Sequence, residues 1–82
     1  MVDEAPIRLL VIDDDAAMCQ TLERGLSRRG YEVRAFTSPL TALAQLPGMD
    51  LDVVITDLNM RELGGIDVCT RVRAQQPHVP VV

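Results

Sequence analysis

The sequence contains no lysine, no long apolar run and only two cysteines, and each absence narrows the range of functions. All eight basic residues are Arg, and twelve acids outnumber them, which gives a net charge of −4. This excess of acids argues against a nucleic-acid-binding surface in this segment. No run approaches the ~20 apolar residues of a membrane span, and the acidic start Val2-Asp3-Glu4 is unlike a signal peptide. We therefore expect a soluble, cytoplasmic protein.

The two cysteines, Cys19 and Cys69, are too few for a dense disulfide framework, so buried and reduced thiols are the simplest interpretation. Apolar residues make up 48% of the 82 residues and charged residues 24%, which is the composition of a globular domain and not of a disordered segment. A chain of this length forms one small domain at most, and it buries only a little over ~60% of its unfolded surface. We therefore expect a small hydrophobic core and a low free energy of unfolding.

Apolar periodicity predicts strands that alternate with helices. Strands are expected in four segments, 7–12, 31–36, 53–56 and 79–82. Helices are expected over 16–29, from Ser38-Pro39 to Pro47-Gly48, and from Gly64-Gly65 to Pro77. This order forms right-handed βαβ units, so we predict an α/β fold with helices on both faces of a doubly wound parallel sheet. The most apolar strands, 7–12 and 53–56, are expected to be central and buried on both faces, with 31–36 outside them.

Four acids follow the two central strands: Asp13, Asp14 and Asp15 follow the first, and Asp57 follows the other. The carboxyl ends of parallel strands meet at one edge of the sheet, where the sites of such folds form. Carboxylates gathered there repel one another unless a cation relieves them, and folding alone gives no reason to gather them. Asp15 is the exception, because it is well placed to cap the helix that starts near Ala16.

The acid cluster has the chemistry of a metal site. Oxygen ligands without His or Cys nearby favour a hard cation such as Mg²⁺. A cation at a strand end also allows a neighbouring carboxylate to act as a nucleophile towards a phosphoryl group. The residues alone therefore indicate a Mg²⁺ site that includes a phosphoryl-accepting Asp.

Two segments and a glycine together resemble the receiver domain of two-component response regulators. They are L-L-V-I-D-D-D at 9–15, V-V-I-T-D-L-N-M at 53–60, and Gly65. The resemblance runs along the whole chain in matching element order, and it implies a flavodoxin-like sheet with strand order 2-1-3-4-5. In its general character the sequence also resembles the receivers that precede the ATPase and DNA-binding domains of NtrC-type transcription activators.

The resemblance implies that Asp57 is phosphorylated by a partner histidine kinase, in a phosphorelay that switches an output outside this chain. Asp13, Asp14 and Asp57 would hold Mg²⁺ together with the backbone carbonyl of Asn59, with Asp13 acting through water. The protein would thus be a phosphoacceptor switch and not an enzyme, although able to catalyse its own phosphorylation and dephosphorylation. Met60 and Gly65 would shape the loop, Gly65 through its backbone freedom.

The sequence departs from the family in two places. Arg61 stands where the family usually has proline directly after the methionine, and we expect a looser loop there. The chain also stops at Val82, whereas a receiver continues with a Ser or Thr, a helix, a strand carrying a Lys and a last helix. We therefore predict a receiver domain over 1–82 that is truncated at its C-terminal third (βαβαβαβ, without the last αβα). Exposed apolar surface would make it marginally stable and prone to dimerise as a homodimer, to swap or to aggregate.

Two other functions are open at this point. A degenerate or truncated receiver would act only as a protein-interaction module. An aspartyl-nucleophile phosphatase fragment would use Asp13, since Asp13 and Asp15 have the spacing of its D-x-D motif, but Ala17 stands where such enzymes usually have Thr or Val. Phosphate carried on Asp57 rather than on Asp13 would separate the receiver from the phosphatase.

Overall fold

The computed structural model describes residues 5–82, so the acidic start at 2–4 lies outside the described residues. The elements follow the predicted order. They are β1 (Arg8–Ile12), α1 (Ala16–Arg28), β2 (Glu32–Phe36), α2 (Pro39–Gln45) with a short 3₁₀ turn (Leu46–Gly48), β3 (Val53–Thr56) and α3 (Gly65–Gln75). In this part of the chain no helix has the length and apolar character needed to cross a membrane.

The three strands form a parallel sheet in the order β2-β1-β3, with β1 in the centre and β2 at an edge as predicted. Val54 of β3 pairs on its other side with Val81 in a parallel bridge, and the predicted fourth strand is reduced to a short pairing over residues 80–82. The Val82 N–H donates to the carbonyl of Val54 at 2.8 Å, and the Val54 N–H donates to the carbonyl of Pro80 at 3.0 Å. Because Pro80 has no N–H to donate, the ladder does not extend to the residues before position 80.

The main core lies on the face of the sheet that α2 and α3 cover. Leu10 and Ile12 of β1 and Val54 of β3 are fully buried there, because alternate residues of a strand face the same side. The cluster consists of Leu10, Ile12, Ala42, Leu43, Leu46, Met49, Leu51, Val54, Val68, Val72 and Val79. It fixes β1 and β3 side by side, and thereby fixes the positions of the residues that follow them.

The opposite face of the sheet is covered less completely. Helix α1 packs on β2 and β1 and makes few contacts with β3. The prediction that β3 is buried on both faces is therefore wrong: Val53 and Ile55 are half-buried. Cys19 is the one buried residue of α1, whereas its neighbour Met18 is 45% exposed.

The predicted start and end of α1 are confirmed to within one residue. The Asp15 carboxylate accepts the backbone N–H groups of Ala17 (2.9 Å) and Met18 (3.3 Å), which satisfies two donors that have no partner inside α1. Gly30 follows the end of α1 with φ +93°, a conformation that side chains with a Cβ rarely adopt. These local signals set where α1 begins and ends, and so keep Asp15 apart from the acids beside it.

Ser38 has two roles, and its replacement by Ala is expected to lower the free energy of unfolding by about 1 kcal/mol. Its hydroxyl oxygen accepts the N–H of Thr41 at 3.1 Å as the cap of α2, and its hydroxyl donates to Glu62 Oε1 at 2.6 Å. Urea unfolding measures the change. Ser27→Ala, at an exposed site in the last turn of α1, is the matched control and should change stability by less than about 0.5 kcal/mol. Equal losses in the two variants would contradict the capping role.

Candidate metal and phosphoryl site

Strand pairing brings the acids together. Ile12 of β1 lies opposite Thr56 of β3, so the residues that follow them, Asp13 and Asp57, emerge side by side. The N–H of Asp57 donates to the carbonyl of Ile12 at 2.9 Å, which continues the ladder by one bond. One carboxylate oxygen from each of Asp13, Asp14 and Asp57 lies within 4.8 Å of the others. The structure therefore forms a three-carboxylate cluster at the carboxyl edge of the sheet.

The three acids differ in how they are held. Asp13 is half-buried, and its Oδ1 accepts the N–H of Asp15 at 2.9 Å. Asp14 is exposed, and its Oδ2 accepts the backbone N–H of Arg61 at 3.2 Å. The hydrogen bonds formed within residues 5–82 reach these two carboxylates but not that of the half-buried Asp57. Asp57 thus presents a carboxylate whose oxygens are open to a ligand.

No basic side chain within residues 5–82 forms a salt bridge with the cluster. Among the described residues, the salt bridges join Arg8 to Asp50 (2.9 Å) and to Asp52 (3.8 Å), at the opposite end of the sheet. Three negative charges therefore lie within 4.8 Å of one another without a cationic partner from residues 5–82. Like charges at this separation repel. A hard divalent cation, which prefers carboxylate and carbonyl oxygens, fits both the donor set and the charge of this cluster.

The side chain of Cys19 holds the backbone of Asp13 in the acid cluster, a role that was not predicted from the sequence. It is a free thiol, as expected, and its Sγ donates to the carbonyl of Asp13 at 3.1 Å and lies 3.5 Å from the carbonyl of Phe36. The N–H of Asp13 donates to the same Phe36 carbonyl at 3.1 Å. Burial raises the pKa of the Cys19 thiol, and the nearby charges of Asp13, Asp15 and Glu23 raise it further. The thiol therefore stays protonated and holds the start of the β1–α1 loop against the end of β2.

Gly65 is required for a close approach and not for backbone freedom, so the expectation about its conformation is wrong. Within residues 5–82, positive φ angles occur only at Gly30. A Cβ on Gly65 would collide with the carbonyl oxygen of Asp57 and would lie 2.8 Å from Cα of Leu58. The N–H of Gly65 donates to the carbonyl of Leu58 at 2.9 Å and closes the loop. The first turn of α3 therefore rests directly on the backbone of the candidate phosphoacceptor.

The loop over 58–64 carries the remaining predicted site residues. Asn59 is exposed, and the ligand role of its backbone carbonyl stays a prediction. Met60 is partly buried and packs against the core cluster. Arg61 and Glu62 were not predicted to contribute contacts, yet the first donates its N–H to Asp14 and the second accepts the Ser38 hydroxyl. The absence of proline at 61 was the one sequence signal of the first contact; the second had none.

Comparison with known proteins gives a consistent family. The model of the response regulator receiver domain matches residues 9–82. Response regulator MprA of Mycobacterium sp. (strain KMS) is 35% identical over 77 residues, which cover 94% of this chain and 34% of MprA. DNA-binding transcriptional regulator NtrC of Rhizobium meliloti (strain 1021) is 36% identical over 74 residues, which cover 90% of this chain and 15% of NtrC.

A solved structure gives the same result for the fold. Response regulator protein TrrA from Thermotoga maritima, crystallised in complex with Mg²⁺–BeF, is 27% identical with a TM-score of 0.85. The match covers 92% of this chain and 65% of the TrrA chain. Of the two sequence relatives described above, the chain spans 34% of the length of MprA and 15% of that of NtrC.

Proposed function

The chain belongs to the response regulator receiver domain family, and from that premise we propose that Asp57 is its phosphoacceptor. The observation that carries the proposal is the three-carboxylate cluster, in which Asp57 is the member whose carboxylate accepts no hydrogen bond from residues 5–82. Both carboxylate oxygens of Asp57 are free of hydrogen bonds from these residues, whereas Asp13 and Asp14 each have one oxygen restrained by a backbone N–H. Asp57 is therefore best suited to take the phosphoryl group.

We propose that Mg²⁺ binds at the same cluster. Carboxylates of Asp13, Asp14 and Asp57 and the backbone carbonyl of Asn59 would hold it, since these are the all-oxygen ligands that Mg²⁺ prefers. The bound cation would neutralise the repulsion between the Asp57 carboxylate and an incoming phosphoryl group. The crystal structure of TrrA in complex with Mg²⁺–BeF supports the proposal of an equivalent site in the present chain.

The proposed reaction is phosphoryl transfer from a phosphohistidine of a partner histidine kinase. A carboxylate oxygen of Asp57 forms the new O–P bond as the P–N bond of the donor breaks, and the departing imidazole keeps the electron pair and takes up a proton. The product is an acyl phosphate on Asp57, which adds negative charge at the carboxyl edge of the sheet. We propose that this charge biases a two-state surface and so switches an output domain.

The class of output is also a proposal. MprA is named a response regulator and NtrC a DNA-binding transcriptional regulator, and the two are 35% and 36% identical to this chain. Such similar values do not single out the NtrC type that the sequence suggested. Control of transcription by a connected DNA-binding domain is the output that the name of the NtrC relative supports, without nucleic-acid contact from this segment.

Intact-mass measurement after incubation with Mg²⁺ and a small acyl-phosphate donor tests the proposal. The parent and Asp50→Asn are expected to gain one phosphoryl group, and Asp57→Asn none. Asp50 is a matched control because it is an exposed acid, paired with Arg8 away from the cluster. A gain that persists in Asp57→Asn and maps to Asp13 would overturn the proposal in favour of the phosphatase-type nucleophile. No gain in the parent, with Mg²⁺ still bound, would favour a receiver that acts only through protein contacts.

A further inference from the structure

One hydrogen bond joins the two loops that carry the acid cluster. The backbone N–H of Arg61, in the loop before α3, donates to Oδ2 of Asp14 at 3.2 Å, across 47 positions of the chain. Asp14 is exposed, and no basic side chain within residues 5–82 forms a salt bridge with it. The Arg61 N–H is therefore the group that restrains the orientation of this carboxylate.

The loop that presents the N–H is itself anchored on both sides of Arg61. Met60 packs on the core cluster, and Glu62 accepts the Ser38 hydroxyl at 2.6 Å. The N–H of Gly65 donates to the carbonyl of Leu58 at 2.9 Å and closes the loop at its far end. A donor held in this way can fix its acceptor, since its own position is set by contacts that do not involve Asp14.

We infer that the backbone N–H of Arg61 is a positioning group for Asp14 in the metal site. A carboxylate has two oxygens and about four lone-pair sites, so Asp14 can accept this N–H and still bind a cation. With Oδ2 restrained, the carboxylate keeps the orientation that places one of its oxygens within 4.8 Å of those of Asp13 and Asp57. This inference rests on the proposed Mg²⁺ site.

The contact depends on the backbone of residue 61 and not on its side chain. Every residue except proline supplies an N–H at this position. Proline would stiffen the loop but would remove the donor, whereas Arg61 keeps it. The loop is therefore tethered through Asp14 at the point where the sequence suggested that it would be looser.

Comparison of Arg61→Pro with Arg61→Ala tests the N–H without a difference in charge, since both variants lack the guanidinium group and only Arg61→Pro lacks the donor. Mg²⁺ is titrated into each ¹⁵N-labelled, unphosphorylated protein, and amide chemical shifts give the dissociation constant. We expect Arg61→Pro to bind Mg²⁺ about tenfold or more weakly than Arg61→Ala, the usual loss when a metal ligand loses its outer partner. Equal affinities, or tighter binding by Arg61→Pro, would overturn the inference.

Hydrogen exchange gives a test that does not depend on the folding of a proline variant. Without Mg²⁺, the Arg61 amide is expected to exchange about tenfold or more faster in Asp14→Ala than in the parent, while the Gly65 amide keeps its protection. An unchanged rate at Arg61 would show that the bond does not restrain the loop.

Absence of Mg²⁺ binding in both the parent and Arg61→Ala would refute the proposed metal site and this inference with it. Equal binding in Arg61→Ala and Arg61→Pro would refute the inference alone.

Discussion

Replacement of Gly65 by Ala is expected to destabilise the protein by up to about 3 kcal/mol, the upper range for overpacking a tight contact. The added methyl group would collide with the carbonyl oxygen of Asp57 and with Cα of Leu58. Both obstacles are backbone atoms, so neither can rotate out of the way as a side chain could. Relief requires α3 to move from the end of β3, and this movement displaces Asp57. We therefore expect Gly65→Ala also to slow phosphorylation of Asp57.

Gly25→Ala is the matched control for this substitution. Gly25 lies within α1, and a Cβ built there meets no atom within 4 Å. Alanine is the better helix former, so this variant is expected to gain up to about 1 kcal/mol. Urea unfolding of the two variants measures both effects, as opposite shifts of the midpoint with an unchanged slope. A Gly65→Ala midpoint equal to that of the parent would contradict the close approach.

The positions of the acids could be predicted because they follow from strand order alone. Two apolar segments that each end in acids must place those acids at one edge, once the intervening helices force the strands to run parallel. Asp13 and Asp57 lie together for this reason. The helix caps at Asp15 and Ser38 were equally predictable, since a cap is a local interaction between a side chain and N–H groups two or three residues later.

The reason for Gly65 could not be read in the same way. A glycine that needs a positive φ and a glycine that needs close packing are the same letter in a sequence. Only the placement of α3 on Asp57 distinguishes them. The contact between Arg61 and Asp14 is hidden for a related reason, because its donor is a backbone group common to all residues except proline.

The partial exposure of β3 also could not be predicted from the sequence. An unbroken apolar run such as 53–55 predicts burial on both faces, but burial depends on which elements cover each face. Helix α1 lies on β2 and β1, so Val53 and Ile55 stay half-buried. The pattern identifies a strand correctly, and it leaves open how completely its neighbours cover it.

The charge of the cluster predicts that Asp57→Asn stabilises the protein when no divalent cation is present. The substitution removes repulsion from two carboxylates whose oxygens lie within 4.8 Å. Each such pair is worth about 1 kcal/mol at the dielectric constant of water, so the gain is on the order of 1–2 kcal/mol. Thermal melting at low and constant ionic strength measures it, since salt screens the repulsion.

Mg²⁺ should reverse this ranking. A cation that binds only the folded state stabilises the parent by about 2.7 kcal/mol at a hundred times its dissociation constant. Asp57→Asn loses one carboxylate ligand and with it most of this response. Asp50→Asn, which keeps the cluster intact, should respond to Mg²⁺ as the parent does. If Asp57→Asn instead keeps the full response, the cation is held by Asp13 and Asp14 without Asp57. If it melts below the parent without Mg²⁺, the Asp57 carboxylate stabilises the fold through contacts that outweigh its repulsion.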